Sequence, residues 1–259
     1  MLERIKEVYA YREMIFSLVK RDLRGRYKGS VLGFFWTFLN PLLQLVVYTV
    51  VFSVIMRMNI KDYYLFLFVA LVPWIFFSTS ITGGAGCIVA QQDMVKKIYF
   101  PREVLPISFV TSQFVNMILS FCVIFIVLLV ARYPVNILAI LCLPVIMLVE
   151  YILALGITMM VSAVTVYLRD VEYLLGIITM AWQFLTPVMY AVDFVPEELR
   201  GIFYLNPMTP VIVSYRDILY YGRIPQLETL LSAVIIGIIM LIAGWCVFFH
   251  LQKRFAEEL

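Results

Sequence analysis

Six long stretches that are almost free of charged residues dominate the sequence and decide what it can fold into. Five of them carry no charge, and the sixth contains only Glu150. They cover residues 29–56, 63–92, 104–131, 133–168, 173–192 and 229–249. Each reaches the roughly 20 residues that a helix needs to cross a hydrocarbon core of about 30 Å. An ordinary soluble domain is roughly 45–50% apolar and about 25% charged, whereas this chain is 63% hydrophobic and 14% charged. A soluble enzyme or a nucleic-acid-binding domain is therefore excluded.

The same stretches predict an all-α integral membrane fold with six transmembrane helices. Backbone groups in lipid must satisfy one another, so only helices and closed barrels span a bilayer. The strict alternation of polar and apolar residues that marks a barrel strand is absent. Six crossings place both termini on one side, and the segments on that side hold 14 of the 20 Lys and Arg residues. The positive-inside rule then predicts cytoplasmic termini.

Residues 1–28 are predicted to form an amphipathic helix along the cytoplasmic surface of the membrane. Leu2, Ile5, Tyr9, Phe16 and Val19 recur at helical spacing, and most charges fall on other faces. The pattern leaves two roles open, a simple membrane anchor or a docking surface for a partner. Residues 29–259 form the six-span domain.

The cytoplasmic segment 91–104 has features that a solvated connector does not need. Its sequence, QQDMVKKIYFPREV, places Ile98, Tyr99 and Phe100 side by side among charges. Aromatic residues are enriched where proteins contact one another. The segment therefore predicts a short helix that docks on another protein.

The outer segment 193–228 is predicted to form a re-entrant hairpin. Its 15 uncharged residues at 201–215 are too few to cross, and we expect Pro207 and Pro210 to break the stretch. Irregular backbone at membrane depth must be buried in protein or face a water-filled cavity. A hairpin of this kind suggests a gate over a pathway, and an ordinary outer loop is the alternative.

The sequence lacks the motifs of nucleotide hydrolysis and metal chemistry. No Gly-Lys dipeptide occurs, so GxxxxGK[ST] is absent, and neither HExxH nor GxSxG is present. His250 is the only histidine, and the four cysteines form no CxxC pair, which predicts no metal site. If the protein depends on ATP, a separate chain must hydrolyse it.

Glu150 and the aromatic clusters each allow two interpretations. A carboxylate at mid-bilayer costs about 2.5–3.5 kcal/mol. Glu150 therefore faces a pathway, or it lies near the outer head groups if Pro144 breaks the 133–168 stretch. Aromatic clusters such as 34–38 serve either as interface belts or as flat faces on which sugar rings stack.

Short motifs in a fixed order connect the chain to a known family. They are Arg21-Asp22-Leu23, Arg26-Tyr27-Lys28-Gly29-Ser30, Leu32-Gly33, Trp36, Pro41-Leu42, Val95-Lys96-Lys97, Phe100 to Pro106, Tyr167 to Val171, Asn206 to Pro210, and Tyr215-Arg216-Asp217. Together they resemble the ABC-2 type permeases that export O-antigen (Wzm-type) and teichoic-acid polysaccharides.

The resemblance implies a non-catalytic permease subunit of the cytoplasmic (inner) membrane. It implies a homodimer that works with two separate ATPase subunits, which bind the ATP and Mg²⁺, and exports a lipid-linked polysaccharide. The residues implied in ATPase coupling are Asp93, Lys97, Tyr99, Phe100, Pro101, Arg102, Glu103, Arg169 and Asp170, and those of the interface helix are Arg21, Arg26, Tyr27 and Lys28. The implied channel-lining residues are Phe35, Trp36, Trp74 and Tyr190. The implied outer-gate residues are Pro196, Asn206, Pro207, Pro210, Tyr215 and Arg216.

Three rival functions share parts of this pattern. An ABC-2 exporter of drugs or other small molecules would have the same spans and docking segment. A membrane-embedded glycosyl- or phosphotransferase would need an acidic pair that holds a metal ion, and Asp93 and Glu103, with two lysines between them, fit that poorly. A passive scaffold leaves the docking segment without a purpose. For an exporter, we expect charge reversal at Arg102 or Glu103 to uncouple ATP hydrolysis from transport and leave the membrane fold intact.

Overall fold

The computed structural model describes residues 2–25, 29–134 and 136–259, and its regular structure within these ranges is helical, without strands. This confirms the all-α prediction. The α-helices in these ranges are α1 (Leu2–Ala10), α2 (Arg12–Gly25), α3 (Trp36–Thr49), α4 (Tyr63–Ala85), α5 (Gln92–Lys97), α6 (Val104–Val130), α7 (Ile137–Ile140), α8 (Leu143–Tyr167), α9 (Asp170–Leu185), α10 (Glu197–Leu205), α11 (Met208–Leu219), α12 (Leu227–Leu251) and α13 (Phe255–Glu258).

Five helical segments of the described chain are long and apolar enough to cross a membrane. They are Gly33–Ile55, Tyr63–Ala85, Val104–Val130, Ile137–Tyr167 and Leu227–Glu258. Each overlaps one of the uncharged stretches, which confirms a helical, multi-pass membrane protein. The remaining stretch, 173–192, overlaps α9, whose 16 residues extend about 24 Å at 1.5 Å per residue. A sixth crossing by α9 stays a prediction.

The central element is α4, which other helices enclose along most of its length. Seventeen of its 23 residues are buried, and it contacts α3, α6, α8, α9 and α11. Its large apolar side chains point in every direction, as in a helix that has neither a polar face nor a lipid-facing one. The other long helices are therefore arranged around α4.

Two long helices, α8 and α12, pack backbone against backbone. A Cβ added at Gly244 of α12 would collide with the carbonyl oxygen of Gly156 in α8. Conversely, a Cβ at Gly156 would lie 2.5 Å from the backbone nitrogen of Leu241. Small residues permit such an approach in membranes, where close packing, rather than the hydrophobic effect, holds helices together.

The N-terminal segment differs from the single surface helix predicted for it. The chain turns at Tyr11, between α1 and α2, and α2 packs on α6. Leu18 and Val19 are buried, whereas Tyr9 and Phe16 are 68% and 66% exposed. The segment is thus partly integrated into the helical bundle, because α2 uses its apolar residues against α6 as well as at the surface.

Candidate coupling and gate sites

The predicted docking segment begins with the six-residue helix α5 and presents an exposed edge. The side chains of Asp93 and Lys97 are 83% and 73% exposed and form an ion pair with 3.1 Å between Oδ1 and Nζ. Ile98 and Tyr99 follow, with 59% and 81% exposure. Charged and apolar side chains therefore stand together on one accessible edge, a combination suited to a partner surface.

The second half of the same segment turns inward. Phe100 is 5% exposed and Pro101 is buried, and both precede the first turn of α6. Glu103 is only 1% exposed. Of the coupling residues implied by the resemblance, Asp93, Lys97 and Tyr99 are accessible, whereas Phe100, Pro101 and Glu103 anchor the segment to the bundle.

Glu103 joins three distant parts of the chain, and we call Arg4, Arg102, Glu103 and Gln252 the Glu103 cluster. Arg4 Nε and Gln252 Nε2 each donate to Glu103 Oε1 at 3.1 Å. Arg102 donates to the backbone oxygen of Gln252 at 2.5 Å. The cluster therefore ties α1, the docking segment and the C-terminal end of α12 into one unit.

The surroundings of Arg4 in this cluster favour its charged form. Burial alone would lower the pKa of its guanidinium, but the hydrogen bond to Glu103 and the charges of Glu103 and Glu7 raise the pKa above its usual value. Arg4 is only partly exposed, and Glu103 is buried. The ion pair between them is therefore screened less by water than a pair on the open surface.

We expect Glu103→Gln to destabilise the protein more than Glu7→Gln. The amide keeps the volume of Glu103 but removes the buried charge that Arg4 contacts, and a hydrogen bond to a charged group contributes about 1.5–3 kcal/mol. Glu7 also pairs with Arg4, at 2.8 Å, but its side chain is 30% exposed, so its loss costs about 0–1 kcal/mol. Thermal unfolding of the two variants in detergent tests this, and equal shifts would contradict it.

The burial of Glu103 also changes what we expect from charge reversal at this position. A positive charge at this position would face Arg4 in a site with little access to water. We therefore expect charge reversal at Glu103 to destabilise the fold, because the buried new charge would lie beside the like charge of Arg4. Arg102 is partly exposed, and its reversal stays a usable test.

Within the described chain, the other two groups of predicted cytoplasmic residues form no hydrogen bond to this cluster. Arg169 and Asp170 are exposed where α9 begins, and Arg21 is exposed on α2. Arg26, Tyr27 and Lys28 lie outside the described residues. The hydroxyl of Tyr167 donates to the backbone oxygen of Leu251 at 2.7 Å, which fixes the end of α8 to the end of α12.

The predicted outer gate consists of two helices, α10 and α11, joined at Asn206 and Pro207. Eleven of the 12 residues of α11 are buried, against α4, α8 and α12. Pro210 was expected to break the stretch, but it lies in the first turn of α11, where a missing N–H group costs no hydrogen bond. Pro196 is exposed at the N-cap of α10. The backbone here is helical rather than irregular.

Asn206 connects this helix pair to the end of α9. Its Oδ1 accepts from Trp182 Nε1 at 2.9 Å and from the backbone N–H of Met208 at 3.0 Å. Its Nδ2 donates to the backbone oxygen of Leu185 at 3.1 Å and to Thr186 Oγ1 at 2.9 Å. One amide therefore holds the start of α11 and the end of α9 together.

Arg216 is a buried cation that binds backbone carbonyls. It is 3% exposed and donates to the backbone oxygens of Val188 at 2.7 Å and Tyr190 at 3.0 Å. Its guanidinium carbon lies 3.6 Å from the ring centroid of Phe66, in the geometry of a cation–π contact. The neighbouring Asp217 pairs instead with Arg223, at 2.7 Å. Arg216 thus fastens α11 to α4 and to the loop after α9.

Glu150 also belongs to this outer assembly. It is fully buried, and its Oε2 accepts from the hydroxyl of Tyr215 at 2.6 Å, while its Oε1 has no hydrogen bond in the described chain. A helix does begin next to Pro144, as one interpretation required, and Glu150 lies two turns inside α8. Its hydrogen bond is with Tyr215 of α11, and both interpretations of Glu150 from the sequence stay predictions.

The predicted channel-lining aromatic residues have different surroundings. Phe35 and Trp36 are 67% and 41% exposed, whereas Trp74 is 3% exposed and packs on Phe77, with 5.6 Å between the ring centroids. Tyr190 is partly buried, and its hydroxyl donates to the backbone oxygen of Phe184 at 2.7 Å. Phe35 and Trp36 therefore offer ring faces to the surroundings, and Trp74 does not in this conformation.

Comparison with known proteins identifies the family. The family described as ABC-2 type transporter matches residues 13–220. The chain belongs to this family. It is 36% identical over 262 residues to the O-antigen export system permease protein RfbA of Myxococcus xanthus, and the match covers all of both chains. A protein of the same name from Klebsiella pneumoniae is 31% identical over 95% of each chain.

A more distant relative carries a related name. The polysialic acid transport protein KpsM of Escherichia coli is 23% identical over 216 residues, which cover 81% of this chain and 82% of that one. The comparisons thus confirm the family that the short motifs indicated. The chain's relatives in it include proteins named for O-antigen export and for polysialic acid transport. Those motifs gave no signal for Arg4, Trp182 or Gln252, whose roles arise from contacts distant in sequence.

Proposed function

We propose that this ABC-2 family member is the membrane permease subunit of an ATP-driven exporter of a lipid-linked cell-surface polysaccharide. The observation that carries the proposal is the full-length similarity to a protein named as an O-antigen export permease. Exposed rings at Phe35 and Trp36 suit a polysaccharide, because flat aromatic faces stack on sugar rings. A small-molecule exporter has no such observation in its favour.

The working assembly in this proposal contains two copies of the chain and two separate ATPase subunits, which bind the ATP and Mg²⁺. The chain lies in the inner membrane with both termini in the cytoplasm, as the distribution of Lys and Arg favours. We propose α9 as the sixth crossing, with 186–192 completing its path. Its exposed apolar residues Ile177, Ile178 and Phe184 suit contact with lipid or with the second copy.

ATP-driven movement would enter through the docking segment. In this proposal the ATPase contacts the edge formed by Asp93, Lys97 and Tyr99, and Arg169 and Asp170 have a secondary role. The Glu103 cluster would transmit the displacement to α6, α1 and α12, because it links all three by direct hydrogen bonds. ATP binding can favour the open state only if the ATPase contacts the two states differently.

The helix pair α10–α11 would then form the outer gate, entering the membrane from the outer side. Three hydrogen bonds attach this pair: Arg216 bonds to α4, Tyr215 bonds to α8, and Asn206 bonds to α9. A movement of α4, α8 or α9 relative to the others would therefore displace α11. The polysaccharide would pass at the interface of the two copies, along exposed ring faces.

We expect Tyr99→Ala to weaken co-purification of the ATPase about tenfold, since truncating an aromatic contact residue commonly costs 1 kcal/mol or more. Tyr99 is 81% exposed, so the fold should be unaffected. Tyr64→Ala is the matched control, because Tyr64 is also exposed but lies at the opposite end of the bundle. Affinity purification with the ATPase encoded beside this chain measures both, and equal recovery with Tyr99→Ala would refute the docking assignment.

A gene for an ATPase with the motif GxxxxGK[ST] should lie next to the gene for this chain. The purified complex should hydrolyse ATP faster when the lipid-linked polysaccharide is added. Absence of any ATPase that co-purifies with the chain would refute the proposal. Stimulation by small drugs but not by the polysaccharide would instead support the rival exporter function.

A further inference from the structure

A cavity beside the helix pair α10–α11 has five charged side chains in its wall. It encloses about 180 Å³, room for about six water molecules at roughly 30 Å³ each, or for one phosphate group with a few waters. The charged residues in the wall are Asp193, Arg200, Arg216, Asp217 and Arg223. We call this cavity the arginine pocket, because three of the five are arginines.

Arg216 is the buried cation of the arginine pocket, and no carboxylate of the described chain pairs with it. It is 3% exposed, and its hydrogen bonds go to the backbone oxygens of Phe66, Tyr190 and Val188. A guanidinium has five N–H donors, so two of them have no acceptor among the described residues. Buried charges in proteins are normally paired with an opposite charge. The pocket therefore has a positive charge and donors that an anion would satisfy.

The other four charged residues of the wall do not cancel this charge. Asp217 is buried and pairs with Arg223, at 2.7 Å between Oδ1 and Nη2. Asp193 is exposed, and Arg200 donates to its backbone oxygen at 3.3 Å. Glu197 lies 3.8 Å from Arg200, but its side chain is 89% exposed and outside the pocket wall. Three arginines against two aspartates leave the wall with a net charge of +1.

The chemistry of the wall selects a singly charged phosphodiester. Guanidinium groups match the oxygen atoms of a phosphate with paired N–H donors. A phosphodiester carries one negative charge, which balances the net charge of the wall, whereas a phosphate dianion would leave one charge without a partner. Tyr204 and Tyr221 also line the pocket, and their hydroxyl groups are further donors. Donors from several side chains suit a tetrahedral group with four oxygen atoms.

Exposed apolar side chains beside the pocket indicate that lipid reaches it. Phe194 follows Asp193 in the chain and is 60% exposed, and Leu205 follows Tyr204 and is 77% exposed. Apolar and aromatic side chains on the surface of a membrane protein lie in the hydrocarbon or at the level of the head groups. A phospholipid head group is therefore one source of the phosphodiester, and a soluble compound is the other.

We propose that the arginine pocket binds one singly charged phosphodiester, with the buried Arg216 at its base and the more exposed Arg200 and Arg223 at its mouth. Arg200 belongs to α10 and Arg216 to α11, so a bound anion would hold the two helices of the pair together. The inference goes beyond the proposed function, because it does not depend on which compound the chain exports.

Saturation-transfer NMR on the full-length chain in maltoside detergent tests the proposal. The probes are dimethyl phosphate, a soluble phosphodiester, and dihexanoyl phosphatidylglycerol, a short-chain lipid with the same group. Trimethyl phosphate has a similar shape but no charge, and we expect it not to bind. If the part of the binding that depends on Arg200 is tighter for the lipid, the natural ligand is a head group. If it is equal for both probes, the natural ligand is a soluble phosphodiester.

Three variants make the test specific to the pocket. We expect Arg200→Gln to weaken binding of dimethyl phosphate roughly tenfold, the effect of losing about 1.4 kcal/mol. Asp193→Asn removes a repelling charge and no donor, so it should strengthen binding about two- to fivefold. Lys61→Gln, at an exposed lysine outside the pocket wall, should leave binding unchanged.

Three results would overturn the proposal. They are binding of neither phosphodiester, equal binding of trimethyl phosphate, and unchanged binding in both Arg200→Gln and Asp193→Asn. Thermal unfolding checks each variant, and if Arg200→Gln does not fold, Asp193→Asn alone decides, since only a charge effect strengthens binding there. The measurement needs no ATPase. Failure of ATP-driven export with intact phosphodiester binding would therefore count against the proposed function and not against the pocket.

Discussion

Gly244→Val should prevent accumulation of correctly folded protein in the membrane. Even a Cβ at this position collides with the carbonyl oxygen of Gly156, so α8 and α12 would have to separate along their contact. Overpacking typically costs about 1–3 kcal/mol and occasionally more, and a separation also removes the neighbouring helix contacts. The milder Gly244→Ala should lower the free energy of unfolding by about 1–3 kcal/mol, measured by thermal or denaturant unfolding in detergent.

Two comparisons make this prediction specific to the helix contact. Gly201 of α10 has open space where a Cβ would be placed, so Gly201→Ala should stabilise by about 0.5–1 kcal/mol through helix propensity alone. The double variant Gly156→Ala with Gly244→Ala should cost less than the sum of the two single changes, because one separation relieves both clashes. A neutral Gly244→Ala would contradict the close approach of α8 and α12.

Arg216→Met should detach the outer assembly and abolish export. The change leaves the backbone oxygens of Val188 and Tyr190 without their donors, at about 1–3 kcal/mol for each buried oxygen. It also removes the cation–π contact with Phe66. Removing a buried charge relieves its desolvation, which offsets part of the loss. We therefore expect a net loss of about 2–4 kcal/mol, with faster hydrogen exchange in 186–190 and in α11.

Arg216→Lys and Arg57→Met complete this test. Lysine keeps the charge but offers one compact ammonium in place of a planar fork, so it cannot reach both carbonyls with the same geometry, and its effect should be intermediate. Arg57 is exposed in the loop before α4, and Arg57→Met should leave exchange in 186–190 unchanged. Exchange in Arg216→Met equal to that of the unmodified chain would show that Arg216 does not hold this loop.

The positions of the long helices could be predicted from the sequence, because span length and lack of charge are local properties. The stretch 104–131 differs by one residue from Val104–Val130, and 229–249 differs by two residues at each end from Leu227–Leu251. The stretch 63–92 overran the helix, since α4 ends at Ala85 and the chain turns at 86–88 before α5. The absence of charge alone does not mark where such a helix ends.

The attachments between helices could not be predicted in this way. Glu103 contacts residues 99 positions before it and 149 positions after it, and no local pattern encodes such pairs. The contact of Gly156 with Gly244 depends on the relative rotation of two helices. Pro210 was misjudged because a proline in the first helical turn and a proline that breaks a helix look alike in sequence. Trp74 shows the same limit, since the sequence does not reveal whether its ring faces the core or the surroundings.

Export by the reconstituted assembly tests the central claim most directly. Proteoliposomes containing this chain and the ATPase encoded beside it, with a lipid-linked polysaccharide added outside, should deliver polysaccharide to the lumen only with hydrolysable ATP. Vesicles containing either protein alone, or an ATPase whose phosphate-binding lysine is replaced, should deliver none. Delivery at the full rate by this chain alone, without nucleotide, would contradict the account.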